Sequence, residues 1–343
     1  MALSSAPEKR GWFLDNLKGD ESQSFSLALE KVLQERVVTK LLNFFIEQLD
    51  LILTCDSPAD IEGAFNIILA IAHFDKSTTD TLAESIILFA TKTTSTSPAI
   101  FKILANLFNA LPTDSVLRYK VFRVLLTTAI QRHNIPEVVA FVPHLPKWFA
   151  EWKSSNADIR SVYKQLSDAL FASGDIDRAL DILALYMKTF STEAPPTGDE
   201  RSELISLLVQ IINNEAVFKI DVIIDLPVIA LLADETAVKV LKIFFKGDSA
   251  EFKAFVEQNK AAVEASGINI STFTEKIRLI DLSTLALKSL HTPLSYEAIA
   301  SHIGFSVDDV EHWIIEAVRK NIIVAKIDQI SRSIVVSGSR VPL

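Results

Sequence analysis

A stretch near the C-terminus, residues 306–337, constrains the fold more than any other part of this sequence. It reads SVDDVEHWIIEAVRKNIIVAKIDQISRSIVVS. Ser306 and Asp309 have the spacing of a capping box, and Phe305 and Val310 have that of a hydrophobic staple. Apolar residues then recur at i, i+3, i+4, i+7 and i+8, which predicts a helix with one buried face: Val310, Trp313, Ile314, Ala317 and Val318.

Two runs rich in β-branched residues follow this helix. They cover Ile322 to Ile327 and Ser333 to Ser337, and the polar residues between them predict a hairpin. Upstream, Leu294 to Gly304 predicts a short helix that is capped by Ser295 and ended by its glycine. The preceding helix, roughly Phe273 to Leu290, is apolar over most of its circumference. Helix, short helix, helix and hairpin in this order predict a winged-helix module.

The charges of this module argue against DNA binding. Residues 271–343 contain eight Lys or Arg residues and eight Asp or Glu residues. The first turn of the third helix, which faces the bases in winged helices that read DNA, carries Asp308, Asp309 and Glu311. A groove binder needs a basic footprint, so these residues indicate a module that binds protein.

Two parts of the module are candidate contacts for a protein partner. Ile315 lies in the polar arc of the third helix, and the hairpin offers an edge strand that could pair with a neighbour. Period-two alternation places Ile334 and Val336 on one face of the hairpin and Val335 on the other. We therefore expect Val336→Lys to unfold the module and Val335→Lys to weaken assembly alone. The predicted partner-binding residues are Ile315, Ile323, Ala325, Val335 and Ser337.

The rest of the chain is a succession of helical patterns. Hydrophobic residues make up 49% of the 343 residues and there are only 9 glycines, a composition typical of helical proteins. The clearest helix pair runs from Asp158 to Phe190 around the turn Ser173-Gly174-Asp175, although no strict repeat period is visible. The loop STEAPPTGD, Ser191 to Asp199, is the best linker candidate, but stacked repeats favour a loop within one array.

The sequence lacks the motifs of common catalytic and metal sites. It has no phosphate-binding or nucleophile-elbow motif, its six histidines lack metal-ligand spacing, and Cys55 is the only cysteine. Trp148 and Trp152 have helical spacing and predict packing, since no basic patch surrounds them. No apolar run approaches a membrane span and Met1 to Arg10 has no signal-peptide pattern. We expect a cytoplasmic protein that is not an enzyme, with no cofactor, metal, DNA or membrane.

Several stretches of the sequence resemble the PCI-domain family. The acidic pair before EHWIIEAV, followed by IIVAKIDQ and IVVS, is similar to the C-terminal half of that domain. Members of the family are subunits of the proteasome lid, the COP9 signalosome and eukaryotic translation initiation factor 3. LRYKVFRVLL, KWFAEW and FVEQNK, at Leu117 to Leu126, Lys147 to Trp152 and Phe255 to Lys260, resemble the initiation-factor members. Members usually continue after the last strand into a long helix, which this sequence does not contain.

The resemblance implies an architecture and a function. The fold would be mainly α: a right-handed, tetratricopeptide-like helical-repeat solenoid over residues 25–270, capped by a winged helix over 271–343, after a flexible segment 1–24. The function would be that of a non-catalytic scaffold that binds other PCI subunits of initiation factor 3, and through them the 40S ribosomal subunit and mRNA. A subunit of the COP9 signalosome or the proteasome lid is the alternative, and a winged-helix nucleic-acid binder is a third reading.

Overall fold

The computed structural model describes residues 27–32, 34, 38–52, 57–72, 76–92, 99–132, 134–246, 248–304 and 306–339. In these residues the chain is mainly helical, and its strands lie in the C-terminal part. The predicted fold class is therefore confirmed. Contacts divide the chain into two compact units, Met1–Val162 and Tyr163–Leu343. Cys55 and the segment 1–24 lie outside the described residues.

The N-terminal unit consists of successive helices joined by short connections. Ser115 marks one helix start as its pattern indicates, because its Oγ accepts a hydrogen bond from the Leu117 N–H at 3.2 Å. The helices are α1 (Val38–Glu47), α2 (Leu49–Ile52), α3 (Pro58–Ala72), α4 (Lys76–Lys92), α5 (Ala99–Ala110), α6 (Val116–Gln131), α7 (Ile135–Val139), a 3-10 turn (Val142–His144), α8 (Leu145–Glu151) and the first part of α9 (Asn156–Ser173).

Polar contacts join helices of this unit that are not consecutive in sequence. Lys102 on α5 donates to Glu62 on α3 at 3.0 Å, across 40 residues of sequence. Tyr119 on α6 donates to Asp158 on α9 at 2.9 Å, across 39 residues. These contacts hold non-consecutive helices against one another.

The two tryptophans belong to the core of this unit. Their ring centroids lie 5.6 Å apart, and Phe108 approaches Trp148 at 5.0 Å and Trp152 at 6.0 Å. The Arg118 guanidinium lies 4.3 Å above the Phe108 ring. Trp152 is buried and Trp148 is half-buried. Packing, and not base stacking, is therefore what the two tryptophans contribute, as their spacing predicts.

The C-terminal unit begins with the predicted helix pair. Gly174 between the helices has φ +82°, a conformation that glycine adopts easily because it has no Cβ. The Asp175 side chain caps the second helix. The helices before the winged helix are the rest of α9, α10 (Ile176–Lys188), α11 (Gly198–Asn213), α12 (Asp221–Ile224), α13 (Pro227–Leu231), α14 (Thr236–Lys246) and α15 (Ser249–Ala265).

Two details differ from the predicted helical patterns. The apolar residues between Asp221 and Leu232 have the spacing of one helix, but they form two, α12 and α13, because Pro227 cannot continue a helix and holds Leu226 in an extended conformation. The loop Ser191 to Asp199 ends where α11 begins, at Gly198, and the division between the two units falls inside α9 and not at this loop. The boundaries at residues 24 and 270 remain predictions.

A buried lysine ties α11 to the helix that opens the winged helix, α16 (Ile270–Lys288). Lys276 is 2% exposed, and its Nζ donates to the carbonyls of Ile211 and Ile212 at 3.1 and 2.8 Å. These carbonyls lie in the last turn of α11, where helix dipoles favour a positive charge. Asn213 extends the junction, since its Nδ2 donates to the carbonyl of Gly267 at 2.9 Å.

The environment of Lys276 disfavours its charged form. Burial lowers its pKa to about 7, and the positive charge of Lys320 acts in the same direction. In the unfolded chain the pKa of a lysine is about 10.4. Between these two values the unfolded state binds more protons than the folded state, so the free energy of unfolding rises with pH.

We predict that Lys276→Met removes this pH dependence. From pH 7 to 9, the free energy of unfolding of the wild type should rise relative to the variant by up to about 1.4 kcal/mol per pH unit. Urea titrations at several pH values measure the difference. Lys288→Met, in the exposed last turn of the same helix, is the control and should follow the wild type. Parallel profiles for the wild type and Lys276→Met would contradict the lowered pKa.

Candidate interaction surface of the winged helix

The C-terminal module has the predicted order of elements and a third strand. After α16 come β1 (Pro293–Ser295), α17 (Tyr296–Ile303), a 3-10 turn (Val307–Asp309), α18 (Val310–Arg319), β2 (Ile323–Asp328) and β3 (Ser333–Ser339). The strands form an antiparallel sheet in the order β1-β3-β2. The predicted hairpin is therefore confirmed, and it gains the extra partner that a two-stranded hairpin needs for stability.

The two helix starts in this module differ in how well the sequence predicted them. Ser295 caps α17, because its Oγ accepts from the Ala298 N–H at 3.2 Å, and Gly304 ends it with φ +78°. The Ser306 Oγ instead accepts a hydrogen bond from the Asp308 N–H at 3.3 Å and caps the 3-10 turn. The helix α18 therefore begins only at Val310. Phe305, the predicted staple residue, lies outside the described residues.

The buried face of α18 is narrower than the periodicity predicts. Val310, Ile314 and Ala317 are buried, whereas Trp313 is half-buried and Val318 is 38% exposed. Eight residues at 100° each place Val318 about 80° around the helix from Val310, at the edge of the covered stripe. Val318 therefore shares the predicted face but is exposed at its edge.

The sheet has one face against the helices of the module and one face away from them. Ile334 and Val336 are buried, in the orientation that the alternation predicts. Ile327 lies opposite Ile334 and Ala325 lies opposite Val336, so these four side chains share the inner face. This corrects one of the predicted partner-binding residues, because Ile323 is only 1% exposed. Ala325 is half-buried on the inner face, and its role in partner binding stays a prediction.

The other three predicted contacts remain accessible. Ile315 on α18 is 47% exposed. Val335 lies half-buried on the outer face of β3, opposite Pro293 on one neighbouring strand and Lys326 on the other. Ser337 is exposed, and its Oγ donates to the Val324 carbonyl at 3.1 Å beside an irregularity in the pairing of β2 and β3.

Sequence reasoning missed two exposed apolar residues, Val324 and Ile330. Successive side chains of a strand point to opposite faces of the sheet. Val324 is therefore exposed, because the preceding residue, Ile323, is buried. The alternation of β2 could have identified it. Ile330 lies in the turn between β2 and β3, in a polar segment where no periodicity applies.

The pairing also shows which strand edge is free. β3 lies between β1 and β2, so the unpaired edge of the hairpin belongs to β2. β2 is six residues long, which is enough to pair with an added strand.

The start of α18 is acidic in the structure, as the sequence indicates. Asp308 and Asp309 are exposed, and Glu311 accepts a hydrogen bond from the Gln329 side chain at 2.6 Å. Of the module's charged residues, Lys276 and Asp281 are buried, so one charge of each sign is removed from the surface. The accessible surface therefore gains no basic footprint of the kind that nucleic-acid binding requires.

A polar cluster inside the unit contains the residue types of catalytic sites but not their arrangement. Asp281 accepts hydrogen bonds from the Ser249 hydroxyl at 2.5 Å and lies 3.1 Å from Nε2 of His302. The carboxylate lies between the serine and the histidine, which is not the serine–histidine–carboxylate order of a catalytic triad. Its evident role is to join α15, α16 and α17.

Neither a metal site nor a membrane span is found among the residues that the structure describes. No group of three or more His, Cys, Asp or Glu side chains there could hold an ion. No described helix is both long enough and apolar enough to cross a bilayer.

Comparisons with known proteins agree with this architecture. Residues 252–338 match the family model of the PCI domain. The chain is 27% identical over 293 residues to eukaryotic translation initiation factor 3 subunit M of Dictyostelium discoideum, covering 83% of this chain and 72% of that protein. It is 23% identical over 338 residues to subunit M of Nematostella vectensis, covering 95% and 87%. The chain therefore matches the PCI domain over residues 252–338, and its sequence is similar, over most of its length, to subunit M of translation initiation factor 3.

Proposed function

We propose that this chain is a non-catalytic scaffold subunit of the eukaryotic translation initiation factor 3 complex. The similarity to subunit M proteins over most of the chain is the observation that carries the proposal. The partners would be other PCI subunits, bound through the winged helix, and through them the 40S ribosomal subunit and mRNA in the cytoplasm. The half-buried Val335 and the exposed Ile315 and Val324 support it, because apolar side chains at a surface favour protein contacts.

The alternatives use the same architecture or the same module. A subunit of the COP9 signalosome or the proteasome lid would also have a helical arm and a winged helix, but the curated relatives described above are initiation-factor subunits. A nucleic-acid reader would need cations at the start of α18, where the chain has Asp308 and Asp309 instead.

Purification of the tagged full-length chain from its native cells tests the assignment. Mass spectrometry should find initiation factor 3 subunits in stoichiometric amounts. Recovery of signalosome or lid subunits in their place would transfer the scaffold role to that assembly. RNA binding by the isolated chain with a steep salt dependence would favour the third reading.

The two faces of β3 provide a first prediction about assembly. Val336→Lys should unfold the module, because a charge on the inner face costs several kcal/mol to bury. Val335→Lys would place a lysine opposite Lys326, and this like-charge pair would add a small stability cost of its own. Val335→Glu is therefore the sharper variant, because its carboxylate can pair with that lysine.

The expected result is that Val335→Glu keeps the melting temperature of the isolated chain and recovers fewer initiation factor 3 subunits. Thermal denaturation followed by circular dichroism and quantitative co-purification measure the two effects. Normal assembly of Val335→Glu would exclude the outer face of the sheet as a contact. Unfolding of that variant would contradict the orientation of the strand.

The exposed face of α18 provides a second prediction. Ile315→Glu should leave stability unchanged within about 0.5 kcal/mol, because the side chain is half-exposed and the attraction of the new carboxylate to Arg319 offsets its repulsion by Glu311, each one turn away. Incorporation into the complex should fall by about tenfold if this position contacts a subunit. Ile314→Glu is the contrast, since burial of that side chain predicts unfolding. Undiminished assembly of Ile315→Glu would remove Ile315 from the interface.

A further inference from the structure

A cleft of about 730 Å³ lies within the C-terminal unit, where the arm meets the winged helix. One wall is the turn between α9 and α10, residues 173–177. The others are residues 320–322, between α18 and β2, and the segment ahead of α12 with Ala216, Phe218 and Lys219. A volume of several hundred Å³ is that of a site for a small molecule.

Lys320 gives this cleft a cation without a counter-ion. The side chain is half-buried, and no carboxylate oxygen of the described residues lies within 4.0 Å of its Nζ. The Nζ lies 5.7 Å from the centroid of the Phe218 ring. A cation near an aromatic ring regains only part of the hydration that it loses on burial. Lys320 is therefore able to bind an anion from solution.

Two further lysines raise the positive potential around Phe218. The Lys276 Nζ lies 6.0 Å from the same ring, and its two hydrogen bonds go to uncharged carbonyls. Burial is the main cause of the lowered pKa of Lys276; the charge of Lys320 acts in the same direction and that of Glu215 opposes it. Lys219 is exposed and, in the described part of the chain, has no carboxylate within 4.0 Å either. An anion at Lys320 would relieve the repulsion between these ammonium groups.

The turn between α9 and α10 adds carboxylates to the cleft. Asp175 is committed to the fold, because it caps α10 and pairs with the Arg178 guanidinium at 2.9 Å. Asp177 is exposed in the first turn of α10, and no cation of the described residues lies within 4.0 Å of it. An ionised carboxylate only accepts hydrogen bonds, so a ligand group beside Asp177 has to be a donor.

We propose that this cleft binds a small phosphate monoester, with its phosphate at Lys320 and Lys219 and hydrogen-bond donors of its other end at Asp177. Phosphate suits the cationic side, because lysine binds it as a point charge and the Asn321 amide can donate to a further oxygen. The donors are either hydroxyl groups, as in a sugar phosphate, or an ammonium group, as in an amino-alcohol phosphate. The inference goes beyond the proposed function and does not depend on it.

Other occupants fit the cleft less well. Single-stranded RNA carries a phosphate at every nucleotide, so it would bring negative charge to Asp175 and Asp177 as well as to the lysines. An apolar ligand would leave Lys320 without an anion and would cover the charged groups of the walls without satisfying them.

Calorimetric titration of the purified full-length chain tests the choice of ligand. The probes are methyl phosphate, ribose 5-phosphate and phosphoethanolamine, which share the phosphate and differ in their donors. At about pH 7.5 the phosphates are mainly dianions, since their second pKa is about 6. At least one of the two donor-bearing probes should bind about fivefold tighter than methyl phosphate, and the tighter one identifies the donor. Equal affinities, no binding, or tighter binding of an oligouridylate would overturn the proposal.

Substitutions in the cleft test the placement of the ligand. Lys320→Met should raise the Kd of the tighter probe by about tenfold without lowering the melting temperature. Asp177→Ala should leave the Kd of methyl phosphate unchanged and abolish the preference for the donor-bearing probe. Lys288→Met, an exposed lysine outside the cleft, is the control and should bind like the wild type. Wild-type affinity of Lys320→Met would overturn the site.

Proton linkage separates this site from weak surface binding of anions. An anion at Lys320 removes the repulsion of Lys276 and raises its pKa, so binding at about pH 7.5 should take up a fraction of a proton. Titrations in Tris and in HEPES, whose ionisation enthalpies differ, measure this uptake, and Lys276→Met should abolish it. No uptake by the wild type would contradict an anion beside Lys320. Sulfate binding as tight as that of the better probe would indicate an adventitious ion only.

Discussion

The contact of Lys276 with the carbonyls of Ile211 and Ile212 joins the arm to the winged helix within the C-terminal unit. Those carbonyls end α11 in the arm, and the lysine belongs to α16, the first helix of the winged helix. Helix C-termini leave carbonyls without intrahelical partners, and burying them unpaired would be costly. One ammonium satisfies two of them at once. Burial at this junction lowers the pKa of Lys276 to about 7.

The winged helix built on this junction has a sheet with two different faces. The inner face is filled by Ile334, Val336 and their cross-strand neighbours, so its residues are committed to the fold. The outer face carries Val335 between Pro293 and Lys326, and the free edge of β2 lies beside it. Of two neighbouring residues of β3, Val336 therefore contributes to the core, whereas Val335 is accessible at the surface. That division makes an interaction surface testable by substitutions that leave the core intact.

The balance of charge and exposure decides which kind of partner this surface suits. Exposed apolar side chains of the winged helix lie on α18, on β2 and in the turn between β2 and β3, whereas the start of α18 is acidic. A DNA-binding winged helix needs the opposite distribution, with cations on α18 and in the wing. Similarity to subunits of a multisubunit factor agrees with a protein partner. The described residues also contain no metal-ligand cluster, and the Asp281 cluster serves packing.

The sequence by itself determined the kinds of elements and most of their ends. Ser295, Gly304 and Asp175 act locally, through caps and a positive φ, so their roles could be read from a few neighbouring residues. Periodicity likewise fixed which side chains share a face, as with Ile334 and Val336. Tertiary structure alone decided which faces are covered: it buried Lys276 and left Val318 and Ile330 exposed. The physical reason is that coverage depends on elements distant in sequence, and no local pattern encodes where they pack.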